Sequence, residues 1–335
     1  MKRVVSKKQA AFIDSFTINN GTPELTLMER ASEFVASETE SFLKANTSAR
    51  ILVVSGFGNN GGDAVCAARI LISKYPKADI TVALIDDKKI SESLKYQIER
   101  LAKVENENGR ISSLEVVPES MSFAELAGKY NDFDIIIDGL FGVGLKRDVT
   151  GRFSDAVDYI KSQHDKGAKV IAVDIPSGID GSTGQILGNA VKADVTVTFG
   201  ALKTGHVIYP GRSYAGIVKV CDIGFDELAY YNENFGCDME VLDTNDTSFL
   251  PKRSPDSNKG TYGKVLVAAG CDDMPGACIL SSKAALRCGA GLVSACSSEK
   301  VLNSLITVLP EAVLSPEEKY LKNNGLEELF EKYDA

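Results

Sequence analysis

Residues Ile51–Arg69 read ILVVSGFGNNGGDAVCAAR, and this stretch decides the fold class. Its first four residues form a continuous apolar run with β-branched side chains, which is typical of a strand buried on both faces of a parallel sheet. Gly56–Gly61 predicts a sharp turn, and from about Asp63 the apolar residues follow helical spacing. The sequence therefore predicts a strand, a glycine-rich turn and a helix in succession.

This glycine-rich turn suits a ligand that carries phosphate. Glycines let the backbone approach a phosphate closely, and a helix N-terminus presents unpaired N–H groups to it. Asn59, Asn60 and Asp63 lie in or next to the turn, whereas a turn that only redirects the chain needs no such cluster. We predict an anion-binding site here; a tight turn without a ligand is the alternative.

Composition places the chain among globular proteins with room for two domains. It has 335 residues, of which 44% are hydrophobic and 25% charged, as in an average soluble protein. No apolar run approaches the roughly 20 residues that cross a bilayer, so no membrane partner is expected. No hydrophobic segment of the secretory type follows Met1.

Charge and cysteine usage narrow the class further. The net charge of −9 disfavours nucleic acid as a general partner. Seven cysteines without a CxxC pair fit a reducing cytosol better than a disulfide framework, which predicts a cytoplasmic protein. With His164 and His206 as its two histidines, the sequence does not predict a histidine-rich zinc site.

Two helices are predicted before the first long strand. Ser6 is a candidate N-cap for Lys7–Phe16, and Thr26 for Leu27–Leu43. A minimal doubly wound fold does not need both helices. Closing a pocket, forming a homodimer contact and adding a packing layer are all open as their role.

Strands and helices alternate after the glycine-rich turn. The alternation predicts a Rossmann-like, doubly wound α/β fold with a parallel sheet. Further helices are predicted at Ile90–Leu101, Phe123–Lys129 and Phe153–Gln163, and further strands at Ile80–Ile85, Leu114–Val117, Phe133–Ile137, Ala168–Val173, Val195–Phe199 and Gly216–Val220.

Three loops should meet at one edge of this sheet, because ligands of such folds bind outside the carboxyl ends of the strands. They are Gly56–Asp63, Asp138–Asp148 and Asp174–Asp180. Asn60, Asp138 and Ser177 each offer a side-chain oxygen there, and oxygen ligands suit hard cations. A single carboxylate among neutral oxygens favours a monovalent ion; the alternative is that the two aspartates only cap turns.

A second α/β domain is predicted after a change in composition. Asn, Asp and Glu are frequent from Tyr230 to Ser257, where Pro251 and Pro255 also occur, so we place a boundary near Thr244–Asp256. One domain is predicted at residues 1–245 and the start of another at residues 251–335. The second contains predicted strands at Lys264–Ala269 and Gly291–Ala295 around a helix at Gly276–Gly289.

A nicotinamide-dependent dehydrogenase is one alternative function. Gly56–Gly61 satisfies GxGxxG after a strand, and Asp86 follows the next strand, where a Rossmann domain carries its ribose-binding acid. The motif alone is weak evidence, and His206 is the only nearby imidazole for hydride transfer.

Several separated motifs in residues 1–230 together resemble NAD(P)H-hydrate epimerase. They are Leu27-Met-Glu-Arg-Ala31, Asn59-Asn-Gly-Gly-Asp63 with Arg69, Asp138-Gly-Leu-Phe-Gly142, Asp174-Ile-Pro-Ser-Gly178, and Ala193-Asp-Val-Thr-Val-Thr-Phe199 with Lys203. The resemblance implies epimerisation of the R and S forms of hydrated NADH or NADPH, for nicotinamide-nucleotide repair. A nucleotide-binding protein without catalytic activity is a further alternative.

The resemblance also implies a set of site residues. Potassium would be held by Asn60, Asp138 and Ser177, and Asp174 would contact the substrate near its ring. The hydrated cofactor would be held by Asn59, Asn60, Gly61, Gly62, Asp63, Gly142, Val143, Gly144, Leu145, Lys146, Arg147 and Asp148. Ala64 and Ser32 stand where the family usually has glycine, and the first change could alter the approach of phosphate.

The chemistry of the hydrate suggests a role for Asp174. The hydrated carbon is hemiaminal-like, so its C–O bond can break with help from the ring nitrogen, and water can return on the other face of the resulting iminium ion. This step needs a proton donor and acceptor, and Asp174 at a strand end is the candidate acid–base. Ring opening is the alternative mechanism.

The tail resembles the opening of the ADP- or ATP-dependent NAD(P)H-hydrate dehydratase, which has a ribokinase-like fold. Lys259-Gly-Thr-Tyr-Gly263, Met274-Pro-Gly-Ala277 and Ala284–Leu292 carry this likeness. The whole therefore resembles the bifunctional nicotinamide-nucleotide repair enzyme, with an incomplete dehydratase part. No Gly-Thr-Gly-Asp segment of the ribokinase-like kind follows Leu292, so we expect no dehydratase activity from this chain.

Overall fold

The computed structural model describes residues 2–43, 49–75, 77–85, 90–108, 114–117, 123, 125, 132–237, 239–242, 246, 252–318 and 331–335. The chain divides into two compact units, Met1–Asp246 and Thr247–Ala335. No helix among the described residues is both long and apolar enough to span a bilayer.

A seven-stranded parallel sheet forms the centre of the first unit. Its order is β4-β3-β2-β5-β6-β7-β9. The strands are β2 Arg50–Ser55, β3 Asp79–Ile85, β4 Leu114–Val117, β5 Ile135–Gly139, β6 Lys169–Val173, β7 Val195–Phe199 and β9 Ile217–Cys221. The chain runs outward from β2 to β4 and then returns to place β5 on the other side of β2. This reversal of direction makes the β2–β5 junction the topological switch point of the sheet.

Helices cover both faces of this sheet. They are α1 Lys7–Asn19, α2 Glu24–Phe42, α3 Asn59–Lys74, α4 Glu92–Asn108 and α5 Arg152–Asp165. Alternate residues of β2 pack into opposite layers: Ile51 and Val53 belong to the core with α2 and α3, whereas Leu52 and Val54 belong to the core with α5. All four are almost fully buried, which explains why this strand reads as a continuous apolar run.

A small second sheet closes the first unit near its N-terminus. The strands β1 Lys2–Val5, β8 Leu202–Lys203 and β10 Met239–Val241 pair in the order β10-β1-β8. Two short helices, α6 Thr204–Val207 and α7 Gly211–Tyr214, and a 3-10 turn at Glu227–Tyr231 complete the unit. Strand β8 begins three residues after β7 of the main sheet ends, and β1 pairs with β8. Helix α1 begins two residues after β1, so it starts close to the end of the main sheet.

The second unit contains a three-stranded parallel sheet. Its strands are β11 Lys264–Ala268, β12 Leu292–Ser297 and β13 Val313–Pro316, in the order β11-β12-β13. The connecting helices are α8 Gly276–Cys288 and α9 Glu299–Val308, and a 3-10 turn at Lys259–Tyr262 precedes β11. Gly289 adopts φ 110° and ends α8 in the left-handed conformation that favours glycine.

The predicted parallel α/β architecture is confirmed, and most predicted elements are present. The Ser6 cap is confirmed, since Gln9 N donates to its Oγ and Ser6 N donates to Gln9 Oε1. The Thr26 cap is wrong. The second helix begins at Glu24, directly after Pro23, whose extended backbone precedes the helix without a side-chain cap.

The predicted extent of the glycine-rich turn is also wrong. We expected Gly56–Gly61 to turn and the helix to begin near Asp63, but α3 begins at Asn59. Asn and Gly have low helix propensity, and tertiary packing overrides that preference here. The predicted helix at Phe123–Lys129 and the candidate ribose-binding Asp86 lie largely or wholly outside the described residues.

Candidate active site

The loops that follow β2, β5 and β6 open onto one cavity of about 680 Å³ at the switch point of the sheet. Helices α1 and α2 supply the facing wall. Two of the roles left open for these helices are therefore observed, since both helices line the cavity and α2 also packs in the core of the sheet. Polar residues among the lining are Asp14, Glu24, Asn59, Asn60, Asp63, Lys146, Arg147, Asp174 and Lys203.

The first turn of α3 contributes Asn59, Asn60 and Asp63 to the cavity, but the neighbouring Gly61 and Gly62 do not line it. A Cβ on Gly61 would lie 2.2 Å from the carbonyl oxygen of Gly56, and a Cβ on Gly62 would lie 2.5 Å from Cε of Met28. The two glycines therefore allow α3 to pack closely against its own loop and against α2.

The loop after β5 lines the cavity from Leu140 to Arg147. Gly142, Val143, Gly144, Leu145, Lys146 and Arg147 all belong to the lining, whereas Asp148 is exposed outside it. Lys7 at the start of α1 fixes this loop, because its Nζ donates to the carbonyl oxygen of Leu145 at 2.7 Å and lies 3.3 Å from Oδ2 of Asp180. The loops after β5 and β6 are thus held to α1.

The two departures from the family pattern have structural consequences at α3. Ala64 is fully buried and outside the cavity lining, and its Cβ lies 2.4 Å from where a Cβ on Gly139 would stand. It packs α3 against β5, so it does not narrow the cavity. Ser32 Oγ lies 2.9 Å from the carbonyl oxygen of Asp63 and 2.6 Å from that of Met28, which ties α2 to α3.

Asp138 and Ser177 form a buried pair beneath the cavity. Ser177 donates to Asp138 twice, from Oγ to Oδ1 at 2.6 Å and from N to Oδ2 at 2.8 Å. Burial raises the pKa of Asp138 to about 6, against the opposing effect of these hydrogen bonds. Phe141 N donates to Ser177 Oγ at 2.8 Å, so the pair also anchors the loop after β5.

Asn60 approaches the same loop. Its side chain lies 3.0 Å from where a Cβ on Gly142 would stand, and its buried Nδ2 has no hydrogen-bond partner among the described residues. A 180° rotation of the Asn60 side-chain amide exchanges the places of Nδ2 and Oδ1, so a carbonyl oxygen can stand where Nδ2 now lies. Taken together, Asn60, Asp138 and Ser177 offer one carboxylate and two neutral oxygens, a donor chemistry that would suit a monovalent cation. In the described part of the chain, no three His, Cys, Asp or Glu side chains cluster as metal ligands.

Asp174 stands at the end of β6 in an unusual backbone conformation. Its φ is 63°, in the left-handed region that costs most residues energy but that Asp and Asn tolerate best. Its carboxylate Oδ1 accepts hydrogen bonds from Lys203 Nζ and from Thr198 Oγ1, the latter at 3.0 Å. Both bonds go to one oxygen, and Oδ2 has no hydrogen-bond partner among the described residues. Asp174 is therefore an anchored carboxylate with one oxygen available on the cavity.

Lys203 is the counter-ion of this carboxylate. Its Nζ also donates to Thr198 Oγ1 at 2.8 Å and to the carbonyl oxygen of Phe199 at 3.1 Å, so all three of its protons are used. The side chain is only 4% exposed. Neither Lys203 nor Thr198 was among the predicted site residues, although both were part of a motif that carried the resemblance. The short strand β8, which positions Lys203, has too few residues to be predicted from sequence spacing.

Further carboxyl groups line the cavity close to Asp174. Burial raises the pKa of Asp63 well above its ordinary value, and the nearby charges of Asp174, Asp14 and Glu24 raise it further. Burial also raises the pKa of Asp14. Asp14 comes from α1 and Glu24 from α2, helices for which the sequence predicted caps and extents but no carboxyl cluster.

His206 does not face the cavity, which weakens the dehydrogenase alternative. It is buried and absent from the lining, and its Nδ1 accepts a hydrogen bond from Lys203 N at 3.1 Å. Burial and the Lys203 charge lower its pKa to about 4, so it is a neutral imidazole. The imidazole that the sequence offered for hydride transfer is instead part of the packing behind Lys203.

Comparison with known protein families agrees with this arrangement. Residues 24–205 match the model of the YjeF-related protein N-terminus, and residues 265–335 match that of NAD(P)H-hydrate dehydratase. The first match spans more than half of the chain. The chain belongs to the YjeF-related family. Its two matched segments fall in the first and second structural units respectively.

Curated relatives match this chain over different lengths. A bifunctional NAD(P)H-hydrate repair enzyme from Thermofilum pendens is 38% identical over 294 residues, which cover 88% of this chain and 52% of that protein. An NAD(P)H-hydrate epimerase from Oenococcus oeni is 39% identical over 224 residues, which cover 67% of this chain and 97% of that protein. The chain thus spans about half the length of the bifunctional relative and nearly all of the epimerase.

A solved structure shows that the YjeF-related fold is shared. A yeast protein superposes on this chain with a TM-score of 0.53 at 21% identity, covering 72% of this chain and 97% of that protein. At this level of identity the likeness concerns the fold alone.

Proposed function

We propose that this chain is an NAD(P)H-hydrate epimerase that interconverts the R and S forms of hydrated NADH or NADPH. The observation that carries the proposal is the Asp174 carboxylate, paired with Lys203 on one oxygen and available on the other, at the switch-point cavity. Membership of the YjeF-related family and the name of the Oenococcus relative support it. We assign residues 1–245 to this domain.

The cavity residues have distinct roles in the proposed reaction. The first turn of α3, Asn59–Asp63, and the loop from Gly142 to Asp148 hold the dinucleotide hydrate, with Lys146 and Arg147 near its phosphates. Asp174 acts at the hydrated ring carbon, where the C–O bond breaks and re-forms on the other face. Closure by α1 and α2 limits the water in the cavity to what the reaction needs.

A potassium ion is proposed at Asn60, Asp138 and Ser177. After a 180° rotation of its unpartnered amide, the Asn60 carbonyl oxygen and the single buried carboxylate fit such an ion. When bound, the ion supplies a fixed positive charge. Asn60, Asp138 and Ser177 also fix the position of the loops after β5 and β6 relative to α3.

Replacing potassium by a bulky organic cation is expected to lower the melting temperature and the affinity for hydrated cofactor, because the oxygens of the site would lose their ligand. An Asp138→Asn variant is expected to lose this response, while Asp134→Asn, at the exposed start of the same strand, retains it. Thermal melts and calorimetry in the two salts provide the measurement. A wild-type protein indifferent to the exchange would contradict the site.

The second matched segment is proposed to be the start of a dehydratase domain, residues 251–335. ADP or ATP is the proposed cofactor of this domain.

Two other functions give different results in the same assay. A dehydrogenase would reduce NAD or NADP with an alcohol or hydroxy acid, and a non-catalytic protein would bind the hydrate without changing its epimer ratio. We expect no redox turnover of NAD or NADP. We expect the protein to equilibrate the two epimers of the hydrate rather than to bind it without changing their ratio. Homodimer formation remains a prediction from the leading helices.

A further inference from the structure

Two aspartates on the cavity have opposite surroundings. Asp174 accepts hydrogen bonds from Thr198 and from the ammonium group of Lys203. The Asp63 carboxyl accepts no hydrogen bond and has no ion pair among the residues that the structure describes. A pair of carboxyl groups whose environments differ in this way is the usual basis for one acid and one base at a single site.

The charges that face Asp63 are mostly negative. They come from Asp14 on α1, Glu24 on α2 and Asp174 after β6, and Lys203 on β8 is the positive charge that acts on it. Burial and these carboxylates together favour the neutral form of Asp63, whereas Asp174 lies against the ammonium group of Lys203.

This cluster also bears on which part of a dinucleotide reaches Asp63. Carboxylates repel the anionic diphosphate, so the phosphates should lie towards Lys146 and Arg147 on the loop after β5, and not against Asp63 beside the turn where the sequence predicted an anion site. A ring that becomes cationic during the reaction is stabilised by the same carboxylates. The acidic end of the cavity therefore suits the reacting ring.

The backbone of Asp63 is held firmly in place. It lies in the first two turns of α3, and its carbonyl oxygen is 2.9 Å from Ser32 Oγ on α2. Gly62 packs directly against Met28. A side chain on this anchored segment can act at a fixed position.

We propose that Asp63 is the proton donor, and Asp174 the proton acceptor, of the epimerisation. This inference rests on the proposed function and assigns the two halves of its chemistry. Asp63 gives its proton to the hydroxyl oxygen on the hydrated ring carbon. The C–O bond breaks, water departs, and the ring nitrogen lone pair forms the C=N bond of the iminium ion.

The second half-reaction adds a water molecule back, so the product has the same atoms as the substrate. A water molecule attacks the iminium carbon from the other face and forms the new C–O bond, and Asp174 takes a proton from it. The C=N electrons return to the ring nitrogen. The proton then passes from Asp174 to Asp63 through water in the cavity, so that no net proton is consumed.

The test compares Asp63→Asn, Asp63→Glu and the exposed control Asp165→Asn with the wild type. Rates of approach to epimer equilibrium are measured between about pH 5 and pH 9, and hydrate binding by calorimetry. Since the neutral acid is the active form, wild-type activity should fall as the pH rises through the raised pKa of Asp63. The Asn variant should keep its affinity for the hydrate within about threefold and lose about 100-fold or more in kcat. Its remaining activity should no longer show the fall at high pH, the basic limb of the pH profile.

The remaining outcomes separate the inference from the proposed function. The Glu variant, which restores a carboxylic acid, should recover part of kcat, and the control should match the wild type. An Asn variant with unchanged kcat and only a higher KM, or with the wild-type basic limb, would overturn the role of Asp63 as donor. A wild type that binds the hydrate but never changes the epimer ratio would instead overturn the proposed function, and the inference with it.

Discussion

An Asp174→Asn variant is expected to fold and bind hydrated cofactor but to lose about 100-fold or more in kcat for epimerisation, since general acid–base catalysis contributes that much. The substitution removes the oxygen that can accept a proton on the cavity. Asparagine is the informative replacement because it tolerates the φ of 63° nearly as well as aspartate. Alanine at this position would add backbone strain to the chemical loss.

The control for this prediction is Asp165→Asn, an exposed aspartate at the end of α5. Both variants change one charge, so any effect of net charge appears equally in both. Rates come from chromatographic separation of the epimers, and affinity from calorimetry. Wild-type kcat in the Asp174 variant would mean that the chemistry takes place elsewhere.

A Lys203→Met variant is expected to lose about 3 kcal/mol in the free energy of unfolding, and most of its activity. Breaking a buried ion pair by removing one partner leaves an uncompensated charge. The Lys203 and Asp174 side chains are 4% and 13% exposed, so solvent compensates little for the missing ammonium group. Denaturant unfolding measures the loss.

Two further variants isolate the charge pair. Lys166→Met removes a lysine from the exposed pair with Asp132 and should cost no more than about 1 kcal/mol. The double variant Lys203→Met with Asp174→Asn removes both charges and should regain stability relative to Lys203→Met alone, yet remain inactive. Equal losses for Lys203→Met and Lys166→Met would contradict the role given to the buried pair.

The parts of the fold that follow from sequence are those with a strong local signal. The apolar run Ile51–Val54 predicted a strand buried on both faces, and its residues do alternate between two cores. The start of α3 could not be read in this way. Asn59–Gly62 disfavours a helix locally, and the packing of Gly61 on Gly56 and of Gly62 on Met28 decides the outcome.

The position of the site was predictable in part from the order of the strands. Strand-end loops meet at the switch point by a general rule. In the structure Asn60 and Asp174 line one cavity there, and Asp138 is hydrogen-bonded to Ser177. Asp14, Glu24 and Lys203 reach the cavity through the folding of α1, α2 and β8 over it. Nothing in their sequence spacing encodes that approach.

The central claim is that this chain equilibrates hydrated cofactor epimers, and the most direct measurement is a time course starting from one separated epimer of NADH hydrate. Purified wild type, Asp174→Asn and protein-free buffer are followed by chromatography, without added nucleotide or redox partner. We predict that the wild type reaches the equilibrium ratio at a rate proportional to protein concentration, while the variant stays close to the buffer rate. A wild-type time course indistinguishable from buffer would contradict the account.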